Sequence, residues 1–250
     1  MIVFVLCFGT LHAASLEWPR FRGPNGAGIG RASLPAAFGA DAIRWKTELP
    51  GGGHSSPVVA NGLIFLTCNP PNTTKRVLVA VDAASGKIVW QREYQTGPFR
   101  QHSDNSYASA SPAVDESQVY VCWMSPEGSG LAALEQKDGK EVWRKDLGPF
   151  VSQHGPGASP IVEGGKVILE IDQDQPKSFL VAFDAKTGAE QWKWEHEGGK
   201  ASASTPCIFH PKSGVPQVVT ISNTLGMSAV DLATGRLAWQ LPKIMPKRCV

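Results

Sequence analysis

One nine-residue phrase recurs four times along the chain and limits what it can become. DAASGKIVW at 82–90, EQKDGKEVW at 135–143, DAKTGAEQW at 184–192 and DLATGRLAW at 231–239 each open on an acid or its turn equivalent, carry glycine fifth and end in tryptophan. Glycine accepts a left-handed backbone that other residues avoid, and a short acidic side chain takes up turn amides, so each phrase reads as a tight turn feeding a strand. Trp90, Trp143, Trp192 and Trp239 return roughly every 50 residues, a period that belongs to stacked supersecondary units.

The rest of each unit is filled alike. A Ser-Pro or Thr-Pro marker stands in SSPVV at 55–59, SASPAV at 109–114, ASPIV at 158–162 and ASTPCI at 203–208. Apolar runs follow (GLIFLTC at 62–68, QVYVCW at 118–123, KVILEI at 166–171, PQVVTI at 216–221), and RVLVAVD, GLAALE, FLVAFD and MSAVD lead into the turn. Four short strands per unit predict an all-β chain, a β-propeller of four-stranded antiparallel blades. The indole is a broad apolar plate suited to docking one blade on the next. Trp45, Trp90, Trp143, Trp192 and Trp239, with Gly86, Gly139, Gly188 and Gly235, are the predicted docking residues. AIRWKTEL at 42–49 places Trp45 where a fourth strand would end, without the three strands before it. An orphan strand plus four units predicts an incomplete seven- or eight-bladed ring, with exposed repeat faces.

Composition agrees with short strands and many turns, with 26 glycines and 19 prolines in 250 residues. Twenty-four Lys and Arg stand against 22 Asp and Glu, with no basic run to track phosphates, so nucleic acid is not an expected partner. Residues 1–14, MIVFVLCFGTLHAA, end in small residues and read as a secretory signal without the usual basic start. The run is too short to span a bilayer and nothing later reaches that length. The expected layout is a signal at 1–14, an N-terminal lead-in at 15–41 and the partial propeller at 42–250, in a periplasmic or secreted protein. Cleavage would remove Cys7. Cys68, Cys122, Cys207 and Cys249 are scattered without metal-ligand spacing. Cys68 and Cys122 end similarly placed strands, and buried thiols are expected in preference to a disulfide between them.

The AxDxxxGxxxW phrases, together with WPRFRGPNGAG from Trp18 to Gly28, resemble the pyrroloquinoline-quinone-like (PQQ-like) repeat proteins. That propeller family includes quinoprotein alcohol dehydrogenases and the lipoprotein component of the outer-membrane barrel assembly machinery. The resemblance covers about residues 18–239 and implies the fold more firmly than an activity. In the dehydrogenase branch it implies a quinone and a calcium or related metal at the centre of an eight-bladed ring, beside an adjacent-cysteine disulfide. No two cysteines here are adjacent, and no motif carries a catalytic Asp or metal-binding Glu onto a numbered position. The assembly-factor branch implies a binding platform.

Four histidines, His54, His102, His154 and His196, stand between a Trp-bearing strand and the next unit, in segments that cross toward the centre of a propeller face. Their offsets from the Ser-Pro or Thr-Pro markers differ, so convergence stays open. The connector from Gln95 to Pro112 is the richest, with Arg100, Gln101, His102, Asp104, Asn105 and Tyr107, and its GPF and QH elements recur at 148–154. Loops on a rigid scaffold readily carry recognition. The candidate recognition face is therefore His54, Arg100, His102, Asp104, Asn105, Tyr107, His154 and His196, with a protein, peptide or envelope component as partner and carbohydrate as a lesser option. No catalytic residue, metal site or cofactor is predicted. SASAS near Ser202 lacks a nucleophile-elbow context, and GPNGAGIG at 23–30 lacks the lysine of a phosphate loop. PQQ with a metal belongs to the alternative, a divergent quinoprotein-like oxidoreductase.

Overall fold

A computed structural model describes residues 16–30, 36–37, 39–100 and 102–242. The expected signal, Cys7, Gln101 and Cys249 lie outside the described residues. The strands form four antiparallel sheets in chain order. Blade 1 holds β1 (Leu16–Trp18), β2 (Val58–Ala60), β3 (Leu63–Cys68), β4 (Lys75–Asp82) and β5 (Ile88–Gln95); blade 2 holds β6 (Ala113–Val114), β7 (Gln118–Trp123), β8 (Ser129–Glu135) and β9 (Glu141–Gly148). Blade 3 is β10 (Ile161–Glu163), β11 (Lys166–Ile171), β12 (Lys177–Asp184) and β13 (Glu190–Glu197); blade 4 is β14 (Cys207–Phe209), β15 (Gln217–Ser222), β16 (Gly226–Asp231) and β17 (Leu237–Leu241). Neighbouring strands meander through tight turns, and β2, β6 and β10 lie side by side on the inner edge. The result is an all-β incomplete propeller.

Each tryptophan works on the following blade. The indole N–H of Trp90 donates to Gln136 O at 2.7 Å, Trp143 to Ala185 O at 2.8 Å and Trp192 to Leu232 O at 3.0 Å, in each case the carbonyl just past the next unit's turn acid. The ring covers the next turn glycine so closely that a Cβ would stand 2.6 Å from Trp90 at Gly139, and 2.7 Å from Trp143 at Gly188 and from Trp192 at Gly235. These glycines have φ near +70°, a conformation that side chains resist. The glycine therefore shapes the turn and clears the docking surface at once. Trp239 instead donates to Gln217 Oε1 within its own blade, at 2.8 Å.

Between the docked edges the sheets bury apolar faces. Phe65, Leu78 and Trp90 meet Val119, Val121 and Leu134 between blades 1 and 2. Tyr120, Leu131 and Trp143 meet Leu169, Val181 and Phe183 between blades 2 and 3. Ile168, Leu180 and Trp192 meet Val218, Val230 and Leu232 between blades 3 and 4. Each such side chain contributes on the order of 2 kcal/mol of burial. The Ser-Pro and Thr-Pro markers gain a physical role at the inner edge. Ser56 N donates to Ser111 Oγ, Ser111 N to Ser159 Oγ and Ser159 N to Thr205 Oγ1, at 2.8, 2.9 and 3.1 Å, so each hydroxyl satisfies an amide of the blade before it.

Two expectations near the N-terminus change. Residues 42–49 form no strand, because no sheet edge lies beside them among the described residues. Trp45 nevertheless occupies the position of a preceding blade's tryptophan, donating to Ala83 O at 3.1 Å over Gly86. The lead-in, read as lying outside the propeller, adds β1 as a fifth strand on β2, with Leu16 opposite Ala60. It then crosses the inner strands: Pro19 O accepts from Val114 N at 2.8 Å, and Asn25 brackets Ile208, donating to its O and accepting from its N at 2.8 and 2.9 Å. Cys68 and Cys122 are free thiols in different apolar layers. No helix among the described residues is long and apolar enough to cross a membrane.

Candidate functional site

The connectors that enter β2, β6, β10 and β14 return at one end of the blades and surround an open cavity of about 430 Å³. His54, His102, Asp104, Asn105 and His154 all line it, joined by Ser202 and Asn223 from blade 4. The His102 and His154 rings meet edge to face, 5.2 Å between centroids. His102 Nδ1 accepts from Asp104 N at 3.2 Å and lies 3.4 Å from the Asp104 carboxylate.

Asn105 is the keystone of this arrangement. Its amide N–H groups donate to His154 O at 2.6 Å and Pro156 O at 3.2 Å, while its Oδ1 accepts from Ser106 N and from the Ser109 hydroxyl. One connector is thereby fastened to the next. Gly155, at φ +84°, lies beneath: a Cβ there would stand 2.7 Å from Asn105 Nδ2 and 2.9 Å from the Phe99 ring. Such side-chain to main-chain bonds hold the lining in place before any ligand arrives.

The remaining candidates lie elsewhere. Tyr107 packs edge to face on Phe99, 4.6 Å between centroids, and its hydroxyl donates to Phe99 O, so it supports the loop from below. Arg100 is exposed and lies outside the cavity lining. His196 belongs to β13 rather than to a connector, and its side chain, 2% exposed, is held 2.8 Å from the buried carboxylate of Glu170. The echoed Phe150 is a buried core residue.

Sequence reasoning missed Arg76, which is fully buried on β4. Its guanidinium donates from Nε to Tyr107 O at 2.7 Å and from a second nitrogen to Cys122 O, pinning the connector to blade 2. Burial lowers its pKa, yet a guanidinium stays charged far above neutrality. In the sequence it looks like any basic residue opening a strand. Glu170 and Asp172 were also missed, though an acid inside an otherwise apolar strand and another just past its end were a visible signal.

Burial pushes the Cys122 thiol up to about 11 and raises Cys68 as well. Both are therefore protonated and unreactive at neutral pH. Among the described residues no three His, Cys, Asp or Glu side chains are grouped to hold a metal ion. PQQ carries three carboxylates on a flat tricyclic ring. The cavity lining includes no Lys, Arg, Trp or Tyr among the described residues, and the imidazoles of His54, His102 and His154 are what it would turn toward such a group.

Four-stranded blades joined by tryptophan on glycine, with connectors gathered at one end, define a β-propeller repeat protein. The chain belongs to the family described as outer membrane protein assembly factor BamB, whose profile matches residues 39–108 and 74–249. It is 28% identical over 157 residues to outer membrane protein assembly factor BamB of Moranella endobia, covering 60% of this chain and 36% of that protein. It is 24% identical over 199 residues to quinohemoprotein alcohol dehydrogenase ADH-IIG of Pseudomonas putida, covering 78% of this chain and 26% of that one. The solved structure of BamB from Moraxella catarrhalis shares the fold with a TM-score of 0.54 at 20% identity, covering 80% of this chain and 55% of that one. The chain thus spans between about a quarter and two fifths of these two relatives' sequences. The relation to both PQQ-like branches expected from the repeated phrases holds.

Proposed function

We propose that this chain is an exported envelope scaffold that binds a protein or peptide on its connector face and performs no covalent chemistry itself. The observation that carries the reading is the cavity built by successive connectors, with His54, His102 and His154 at its wall and Asn105 bonding its frame. Imidazole edges, hydroxyls and loop main chain suit hydrogen bonding to an extended chain, and a pre-ordered frame lowers the entropic cost of binding. Membership of a family described by outer membrane protein assembly supports both a protein partner and an envelope location.

The test is site-directed photo-crosslinking of the chain in envelope extracts. A crosslinker at His102 should give a discrete protein adduct that one at exposed Val142 on β9 does not. The double substitution His102→Ala with His154→Ala should weaken binding of the recovered partner at least about tenfold, the size of a modest hot spot. No adduct from the connector face, or identical adducts from both positions, rejects the proposal. The rival oxidoreductase reading draws support from the likeness to a quinohemoprotein alcohol dehydrogenase. It requires one-to-one quinone uptake and quinone-dependent alcohol oxidation.

A further inference from the structure

The joint between blades 3 and 4 differs from that between blades 2 and 3. Ladder register places Glu170 and Asp172 where blade 2 has Cys122 and Met124, and counting from the blade tryptophans places His196 where blade 2 has Leu147, the residue bulged out of its ladder. The facing positions on blade 4 are Thr220, Ser222 and Ser228, where blade 3 presents Leu169, Ile171 and Val181 to blade 2. Toward the connector end, an apolar seam has become a buried polar one.

Hydrogen-bond geometry sets the proton count there. His196 Nδ1 lies 2.9 Å from Glu197 O, and because a carbonyl only accepts, this nitrogen must carry hydrogen. Nε2 lies 2.8 Å from Glu170 Oε1, with both side chains about 2% exposed or less. A neutral imidazole bearing hydrogen on Nδ1 presents a lone pair at Nε2, and an ionised carboxylate presents another. The contact therefore needs one more proton, on the imidazole or on the acid. Glu170 Oε2, both oxygens of Asp172, Thr220 Oγ1 and Ser228 Oγ are buried without a hydrogen bond of good geometry. Protonated acids would supply some of the missing donors.

We propose that a proton shared by His196 and Glu170, which bond to each other within blade 3, keeps the face that blade 3 turns to Thr220 and Ser228 free of added negative charge, and that its loss at alkaline pH releases blade 4 along the wall of the connector cavity. The link to the cavity is short. Ser202 and Asn223 line it. Ser202 stands by Asp172 and donates to Ile221 O at 3.0 Å, and Asn223 donates to Ala201 O at 2.8 Å.

The titratable groups acting on one another in this seam are Glu170, Asp172 and His196. From β12, β15 and β16 the facing groups are the hydroxyls of Ser178, Thr220, Ser222 and Ser228. Lys177, Glu195 and Glu197 are exposed, and Asp174 accepts from the Ala201 and Gln153 amides. Burial raises Glu170 and Asp172 against the pull of His196 and nearby hydroxyls. For His196, burial lowers the pKa, but the Glu170 bond and charge outweigh it and the net direction is up. With all three raised, the folded state holds protons that the unfolded chain releases. Stability of the joint is then greatest below the ordinary carboxylate and histidine values and falls as pH rises through the raised ones.

Hydrogen exchange on the 250-residue chain at pH 6 and pH 9, corrected for intrinsic rates, tests this. Protection across β14–β17 should fall by about tenfold or more at pH 9, the equivalent of one unit of proton linkage, while β6–β9 keep theirs. Glu170→Gln supplies an amide donor to neutral Nε2 and should diminish the pH dependence, leaving the share that Asp172 carries. In the unsubstituted chain, the His196 ring resonances should titrate above the ordinary value near 6.5, a readout independent of whether the variant folds. Equal protection of blade 4 at the two pH values, an undiminished loss in Glu170→Gln, or His196 titrating at or below its ordinary value would overturn the proposal.

Discussion

Gly139 shows two demands meeting at one residue. Its φ of +66° strains any side chain, and an added Cβ would enter the Trp90 ring at 2.6 Å. Gly62 has φ +74° with nothing within 4 Å of the same added atom. Gly62→Ala should therefore cost about 1 kcal/mol of backbone strain alone, whereas Gly139→Ala adds overpacking and should cost roughly 2 to 4 kcal/mol. Urea midpoints of the two variants check the difference, and equal losses would mean that the indole yields freely. The turn acids and the buried cluster respond to pH in opposite senses. Hydrogen bonds from the Ser85 hydroxyl and amide hold Asp82 below its ordinary pKa, and the Thr187 amide and hydroxyl do so for Asp184. Their contribution is present above the ordinary carboxylate value and is lost as pH falls through the depressed one. The turn residues were legible in the sequence because their conformational needs are local. The proton shared by Glu170 and His196 was not, since those side chains are 26 residues apart and meet only across a sheet.

Among the elements, the lead-in departs most from its sequence reading. It reads as a lead-in outside the propeller, yet β1 completes the inner edge of blade 1 and Asn25 grips the backbone of blade 4. Pairing of that kind depends on which strand lies opposite, and nothing in residues 16–28 names the strand. Asn25→Ala should leave the blades folded and free the lead-in, at a cost of about 2 to 4 kcal/mol for the three bonds, the unpaired Ile208 amide and the buried Arg20 guanidinium. Limited proteolysis should then cut within 19–30 faster than in the parent chain, while far-ultraviolet circular dichroism stays unchanged. Unchanged cleavage would mean that β1 alone anchors the segment. The connectors tell a similar story: their histidines and Asn105 were visible as candidates, but Arg76 was not, and the bonds by which Arg76 and Asn105 hold the connectors run to carbonyls of distant loops.

At the scale of the molecule, each blade touches its neighbours in sequence, so stability should be distributed as nearest-neighbour terms. Trp143→Ala removes the plate between blades 2 and 3 and should cost about 3 to 5 kcal/mol at that joint. Hydrogen exchange should show β6–β13 losing protection while the contact between blades 3 and 4 at pH 6 keeps most of its own; uniform loss along the chain would point to a single cooperative unit. Period, turn chemistry and strand count are properties of neighbouring residues, and from them the repeated phrases established blades, their number among the described residues and the family likeness. Which tryptophan covers which glycine, why Ser-Pro and Thr-Pro recur, and which histidines face the cavity depend on packing between segments tens of residues apart. Local propensity carries no record of such contacts, so the same residue type, histidine, lines an open cavity at His102 and lies in a buried seam at His196.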